Sequence, residues 1–132
     1  MSWDIVIFSS TQKITSVEEI NEDQFVPIDF DAILEKHFQN IIIDEDHREI
    51  KGAEYSIDYF ANSEPASNLM FSLYGEAALF ELIRVAKIHG WQIFDTGSGV
   101  MLDLEDPAKN GYANFQSYLK HVLGNSNNET AN

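Results

Sequence analysis

The run Trp3–Phe8 restricts the possible folds more than any other part of the chain. Its residues are β-branched or aromatic and almost continuously apolar, with Asp4 as the single charged residue. Strands that are buried on both faces have this composition, whereas half-buried strands alternate between apolar and polar residues. The run therefore predicts a strand in the centre of a sheet, with other strands arranged around it.

Further segments with the period of strands follow at intervals along the chain. Tyr55, Ile57 and Tyr59 alternate with polar residues, which predicts a strand buried on one face. Three other segments are short apolar runs bounded by turn residues such as Pro65 and Gly97. The predicted strands after the first are 53–60, 69–74, 91–94 and 100–104.

Three segments have helical spacing of their apolar residues. The first can be capped by Asp29, and the other two end before Gly90 and Gly124, where a left-handed C-terminal cap belongs. The predicted helices are 30–38, 76–89 and 112–123. The resulting order, β-α-β-β-α-β-β-α, predicts an α+β fold with a mainly antiparallel sheet of about five strands and helices on one face. It is a ferredoxin-like variant of the split β-α-β arrangement.

The length of 132 residues fits one domain with one hydrophobic core, and no linker or repeat divides it. We expect a single domain at 1–124 and a disordered polar tail at 125–132. Cysteine is absent, so disulfides and thiolate metal sites are excluded. No signal peptide and no membrane-spanning run is found, which predicts a cytoplasmic protein.

The chain carries 22 acidic and 8 basic residues, a formal net charge of −14. This charge repels nucleic acid and anionic membranes and attracts basic proteins, so we expect a basic protein partner. Acidic residues are concentrated in predicted loops of the first fifty residues, where binding groups are often displayed. The predicted partner-binding residues are Glu18, Glu19, Glu22, Asp23, Asp44, Glu45 and Asp46.

The segment Asp95-Thr-Gly-Ser98 matches the signature of aspartic proteases, whose active site pairs two carboxylates. The match covers few residues and lacks the flap and second strand of that fold. A Gly-containing hairpin turn, in which Asp95 bonds to the backbone, explains the segment as well. Catalysis by Asp95 is therefore kept only as an alternative.

No pattern in the sequence predicts a cofactor or a metal site. The four histidines lack metal-ligand spacing, and neither a phosphate-binding loop nor a nucleophile elbow occurs. His89 lies at the end of a predicted helix, where a protonated ring interacts favourably with the helix dipole. The aromatic residues are consistent with a core and with an interface.

Taken whole, the chain resembles small acidic bacterial proteins, most closely in the segments 91–104 and 110–115. It is similar to immunity proteins, which neutralise toxin domains. The resemblance implies binding rather than catalysis, and it assigns no functional residues.

Three functions follow as hypotheses. The first is a non-enzymatic protein-binding module, such as an immunity-type inhibitor of a basic toxin domain. The alternatives are a small hydrolase that uses Asp95, and a structural or regulatory domain whose acidity serves solubility. The identity of the partner, the strand order and the oligomeric state stay open at this point.

Overall fold

The computed structural model describes residues 3–105, apart from the side chain of Val17. Residues 3–102 belong to one compact unit, Met1–Leu102, and residues 103–105 belong to a second, Asp103–Asn132. The predicted helix at 112–123, the end of the predicted domain at residue 124 and the predicted tail at 125–132 lie outside the described residues.

Within residues 3–105 the chain forms seven strands and two α-helices. The strands are β1 (Trp3–Phe8), β2 (Ile41–Asp44), β3 (His47–Lys51), β4 (Ser56–Phe60), β5 (Asn68–Tyr74), β6 (Gln92–Asp95) and β7 (Val100–Met101). The helices are α1 (Phe30–His37) and α2 (Glu76–His89), and two single 3-10 turns, Val17–Glu19 and Glu22–Gln24, lie between β1 and α1. No helix in this part of the chain has the length and apolarity needed to cross a membrane.

All seven strands pair antiparallel in one sheet, in the order β2-β3-β4-β5-β1-β6-β7. β1 pairs with β5 on one side and with β6 on the other. Since β5 and β6 are both antiparallel to β1, they run parallel to each other, and α2 connects them across β1. This is a split β-α-β unit. The predictions of an α+β fold, an antiparallel sheet and an internal first strand are confirmed.

The predicted count of about five strands and the predicted element order are wrong in one region. Between α1 and β4 the chain forms the hairpin β2-β3, with Glu45 and Asp46 as its two-residue turn. The three consecutive isoleucines of β2 show no alternation, and Ile50 is the one aliphatic residue of β3. Two-residue turns favour Asn-Gly or Asp-Gly, and this turn has no glycine. The apolar run of β2 is thus shorter than the roughly four to eight residues typical of a buried strand, and the sequence signal for a hairpin is weak.

One face of the sheet forms the core, and both helices lie on it. Ile5 of β1 lies opposite Phe71 of β5, and both side chains are fully buried. α1 covers this face with its buried Phe30 and Leu34, and its Asp31 accepts a hydrogen bond from the Tyr59 hydroxyl at 2.8 Å. The fully buried large side chains are Ile5, Ile7, Leu34, Ile50, Ile57, Tyr59, Phe71, Leu73, Leu79, Leu82, Ile83 and Ile93.

The ends of both helices agree with the predicted caps. The Asp29 carboxylate accepts a hydrogen bond from the Ala32 N–H at 3.1 Å and so caps the start of α1. α2 ends at Gly90, which has φ 71° and donates its N–H to the Ala86 carbonyl. This left-handed conformation turns the chain from α2 towards β6.

We expect Gly90→Ala to lower the free energy of unfolding by about 1 to 2 kcal/mol, the cost of a left-handed alanine. A Cβ at this position would meet no atom within 4 Å, so the loss comes from the backbone alone. Gly90→Asn is the matched control, because asparagine tolerates this conformation better than alanine. Urea unfolding of the three proteins measures the difference, and equal losses for alanine and asparagine would contradict it.

Candidate functional site

The register of the sheet brings several connections to the same end of the sheet. Phe8, the last residue of β1, lies opposite Asn68 of β5 and Gln92 of β6. The β2-β3 turn reaches this end too, because the Asp46 carbonyl accepts a hydrogen bond at 2.8 Å from Ala61, directly after β4. The chain passes this end in the connections 9–29, 45–46, 61–67 and 90–91.

These connections are strongly acidic. Lys13 is their one basic residue, and Asp29 caps α1. The other acidic residues of this end are exposed, together with Asp44 at the end of β2. We refer to them as the acidic end, which consists of Glu18, Glu19, Glu22, Asp23, Asp44, Glu45, Asp46 and Glu64.

All seven predicted partner-binding residues lie in the acidic end, in two groups. One group occupies the two 3-10 turns, and the other surrounds the β2-β3 turn. Four strand spacings of about 4.8 Å separate β2 from β1, so the groups are on the order of 20 Å apart. Glu64 was not predicted from the sequence, because its position in the acidic end depends on the β4-β5 connection lying at this end of the sheet.

The β2-β3 turn holds its acidic residues in an unusual conformation. Glu45 has φ 54°, and among the described residues it is the one non-glycine with a positive φ. Left-handed backbone favours glycine or asparagine, so a glutamate at this position costs stability. Residues in such conformations persist where the surrounding structure holds them.

Arg48 is the residue that holds this turn. Its guanidinium donates a hydrogen bond to the Glu45 carbonyl at 2.7 Å, and its Nε lies 3.4 Å from the Asp31 carboxylate of α1. The same carboxylate accepts the hydrogen bond of the Tyr59 hydroxyl. Burial and this hydrogen bond raise the pKa of Tyr59 far above its ordinary value, so Tyr59 stays a donor. The acidic turn is thereby connected to the core.

Two glutamines fix the other acidic group. The Gln92 side chain donates to the Gln12 carbonyl at 2.6 Å and accepts from the Ile14 N–H. The Gln12 side chain in turn donates to the Glu19 carbonyl and accepts from the Asn21 N–H, both at 2.7 Å. These bonds connect the 3-10 turns to β6, and they add to the apolar packing of the long acidic connection, in which Ile14 is buried and Phe25 stacks on Phe8.

Asp95 is a buried residue at the end of β6, away from the acidic end. Its Oδ1 accepts hydrogen bonds from the Trp3 indole at 3.1 Å and from the Gly97 N–H at 2.9 Å. Its carbonyl accepts from the Gly99 N–H at 2.8 Å, which closes the turn before β7. Asp95 is the one buried carboxylate among residues 3–105. This geometry matches the turn interpretation of the Asp-Thr-Gly-Ser segment.

A cavity of about 370 Å³ opens between the end of α1, the end of β3 and α2. On the α2 side of the cavity Arg84 donates to Glu81 at 2.8 Å, and Glu81 is the one carboxylate among the described lining residues. Burial, and then Glu81, raise the pKa of the Tyr55 hydroxyl. A Cβ on Gly52 would lie 2.1 Å from the Tyr55 ring, so glycine is needed there. Within the described residues no three ligating side chains are grouped to hold a metal.

The C-terminal ends of the two helices meet in a histidine pair beside this cavity. The Nε2 atoms of His37 and His89 lie 2.8 Å apart, and the His89 ring stacks on Trp91. Burial, and then the neighbouring His37 and Lys36, lower the pKa of His89. The predicted interaction of a protonated His89 with the helix dipole thus competes with a contact that favours the neutral ring.

The chain was compared with protein-family models, with curated proteins and with solved structures. No significant match was found in any of the three comparisons. The assignment of a function to the acidic end therefore depends on its geometry and charge.

We expect Asp95→Asn to lower the free energy of unfolding by at most about 1 to 2 kcal/mol, because the amide oxygen still accepts from Trp3 and Gly97. Asp95→Ala removes that acceptor and should cost about 3 kcal/mol, since buried donors lose a hydrogen bond. Urea unfolding measures both values. Equal losses in the two variants would show that the side-chain oxygen does not stabilise the turn.

The lowered pKa of His89 predicts how stability depends on pH. The unfolded chain takes up this proton near pH 6.5, whereas the folded protein takes it up only at lower pH. The unfolded state thus binds more protons below about pH 6.5, and the free energy of unfolding should decrease as the pH falls further. Melting temperatures between about pH 5 and 7.5 measure the slope, which should be smaller in His89→Asn. An identical slope in that variant would contradict the prediction.

Proposed function

We propose that the protein is a non-enzymatic binding module whose acidic end docks on a basic protein, in the manner of an immunity-type inhibitor of a toxin domain. The observation that carries this proposal is the separation of charge: eight exposed acidic residues and one lysine at a single end of the sheet. A basic cleft, such as the substrate cleft of a nuclease, has the complementary charge.

The size of the acidic end supports a protein partner rather than a small ion. Its two groups lie on the order of 20 Å apart, which one partner surface of about 800 Å² covers. At about 10 mM salt the Debye length is about 30 Å, so the two groups act together on an approaching partner, whereas at physiological salt each group acts on the part of the partner nearest to it. Such a field increases the association rate with a basic protein and decreases it with an acidic one.

The conformation of Glu45 supports the proposal independently of the charge count. A solvated turn of two residues favours glycine or asparagine, either of which would relieve the left-handed backbone. The chain instead places glutamate there and holds the turn through the Arg48 hydrogen bond to the Glu45 carbonyl. Strained positions are concentrated at functional sites, so the turn is a good place for contact residues.

The two alternatives have less support. The hydrolase alternative requires a second buried carboxylate beside Asp95, and among residues 3–105 Asp95 is the one buried carboxylate. A purely solubilising role does not require the acidic residues to lie at one end of the sheet. Nor does it require hydrogen bonds from Gln12, Gln92 and Arg48 to hold their backbone in place. Neither alternative accounts for the ordered acidic connections.

Neutralising charges at the acidic end should weaken capture of basic proteins. The test variant is Glu45→Gln/Asp46→Asn, and the matched control is Glu54→Gln/Glu76→Gln, which removes two exposed charges at the opposite end of the sheet. At about 50 mM salt the wild type and the control should retain basic proteins from a lysate, and the test variant several-fold less. Quantitative mass spectrometry of the retained proteins measures this, with melting temperature as the check on folding.

Two results would contradict the proposal. One is equal loss of basic proteins in the test variant and in the control, which would show that only net charge matters. The other is retention by the test variant at the wild-type level across all salt concentrations, which would remove the β2-β3 turn from the docking surface.

A further inference from the structure

β2 is the terminal strand of the sheet, and its backbone groups alternate between the two sides of the strand. The Asn40 carbonyl accepts a hydrogen bond at 2.9 Å from the Lys51 N–H, which marks this pair as hydrogen-bonded. Hydrogen-bonded pairs alternate along antiparallel strands, so Ile42 and Asp44 also bond to β3. The N–H and carbonyl groups of Ile41 and Ile43 therefore point away from the sheet.

This edge is four residues long and ends in Asp44, but it lacks the other features that usually prevent strand addition. Among residues 3–105 no backbone hydrogen bond reaches the outward side of β2. The strand contains neither proline nor lysine, and its pairing with β3 has no bulge. Ile42 is 51% exposed and Ile43 is 59% exposed. Exposed, apolar, flat edges of this kind are templates for another strand.

We propose that the outer edge of β2 receives an extended segment of the basic partner, which extends the sheet by one strand. This proposal rests on the proposed function, because it describes how the same partner is held once its charge has brought it to the acidic end. The edge ends directly at Asp44, Glu45 and Asp46, so a strand on β2 has basic side chains within reach of three carboxylates. Main-chain bonds give such complexes affinity, and side-chain pockets give them specificity.

The alternation of side chains specifies the partner segment. Ile41 and Ile43 lie on the helix-covered face, and Ile42 and Asp44 on the other. Residues opposite the three isoleucines should be β-branched or aromatic, and a lysine or arginine should lie opposite Asp44. A second copy of the chain is a poor occupant, because it would bring another net charge of −14 and a second acidic turn to the same edge.

The experiment uses the full chain and a defined probe, the peptide Lys-Lys-Thr-Val-Ile-Val-Lys-Lys. The control peptide replaces its isoleucine with proline, which keeps the charge and removes a ladder hydrogen bond. We expect the first peptide to bind about tenfold more tightly or better. At saturation, hydrogen exchange should slow about tenfold at the Ile41 and Ile43 amides and stay unchanged at Ile42 and Asp44, which already bond to β3.

A pair of variants tests the same edge from the side of the protein. Ile43→Pro removes an outward N–H without removing a bond to β3, so the hairpin persists and peptide binding should fall about tenfold. Ile43→Thr is the matched control, because it keeps the N–H and the β-branched shape. If Ile43→Pro fails to fold, the exchange measurement on the wild type still decides.

Three outcomes would overturn strand addition by the partner. The first is unchanged hydrogen exchange at the Ile41 and Ile43 amides, and the second is equal binding of the two peptides. The third is protection of these amides that increases with protein concentration in the absence of peptide. The last would identify a second copy as the occupant. Failure of the proposed function looks different. In that case Glu45→Gln/Asp46→Asn binds the peptide at the wild-type rate at every salt concentration, while Ile41 and Ile43 are still protected.

Discussion

The pairing of β1 on both of its sides is the constraint on which the rest of the structure depends. β1 joins β5 to β6, and α2 has to cross it in order to connect these two strands. The crossing puts α2 over Ile5 and Ile7, which are fully buried. It also fixes the direction of every other strand, and with it the end of the sheet at which each connection lies. The acidic end exists because the register of β1 places the long connection after Phe8 beside the β4-β5 connection.

Features that depend on near neighbours in the chain could be predicted from the sequence. The apolar run of β1, the helical spacing of α2 and the caps at Asp29 and Gly90 are local patterns with a direct physical reading. The β2-β3 hairpin was not predicted, because the apolar run of β2 has only three residues, β3 has one aliphatic residue and the turn lacks glycine. The exposure of the acidic residues could be predicted from their charge, but their shared position at one end of the sheet could not, since it follows from strand register.

The polar contacts that order the site were also beyond prediction. Gln12 and Gln92 are 80 residues apart in sequence, and Tyr59 and Asp31 are 28 apart. Nothing in the local composition distinguishes these residues from other solvated polar side chains. Arg48 lies in a run of charged residues, where a solvated turn is the usual expectation, yet its side chain is only 14% exposed and faces Asp31. Such residues acquire their role from long-range packing.

β1 is far in sequence from both strands with which it pairs, and this distance affects the order in which the sheet can form. β1 pairs with β5 and β6, which lie much later in the chain, so its pairing closes long loops. By contrast, β2, β3, β4 and β5 pair in chain order, and their pairing closes only short loops. Contacts between distant segments slow folding, so we expect the meander β2-β5 to form early and β1 to join it late. During synthesis, at roughly 5 to 20 residues per second, β1 leaves the ribosome on the order of ten seconds before β6. β5 follows before β6 and can pair with β1 first, so β1 is fully unpaired only until β5 emerges, and in that time its apolar side chains are open to a chaperone.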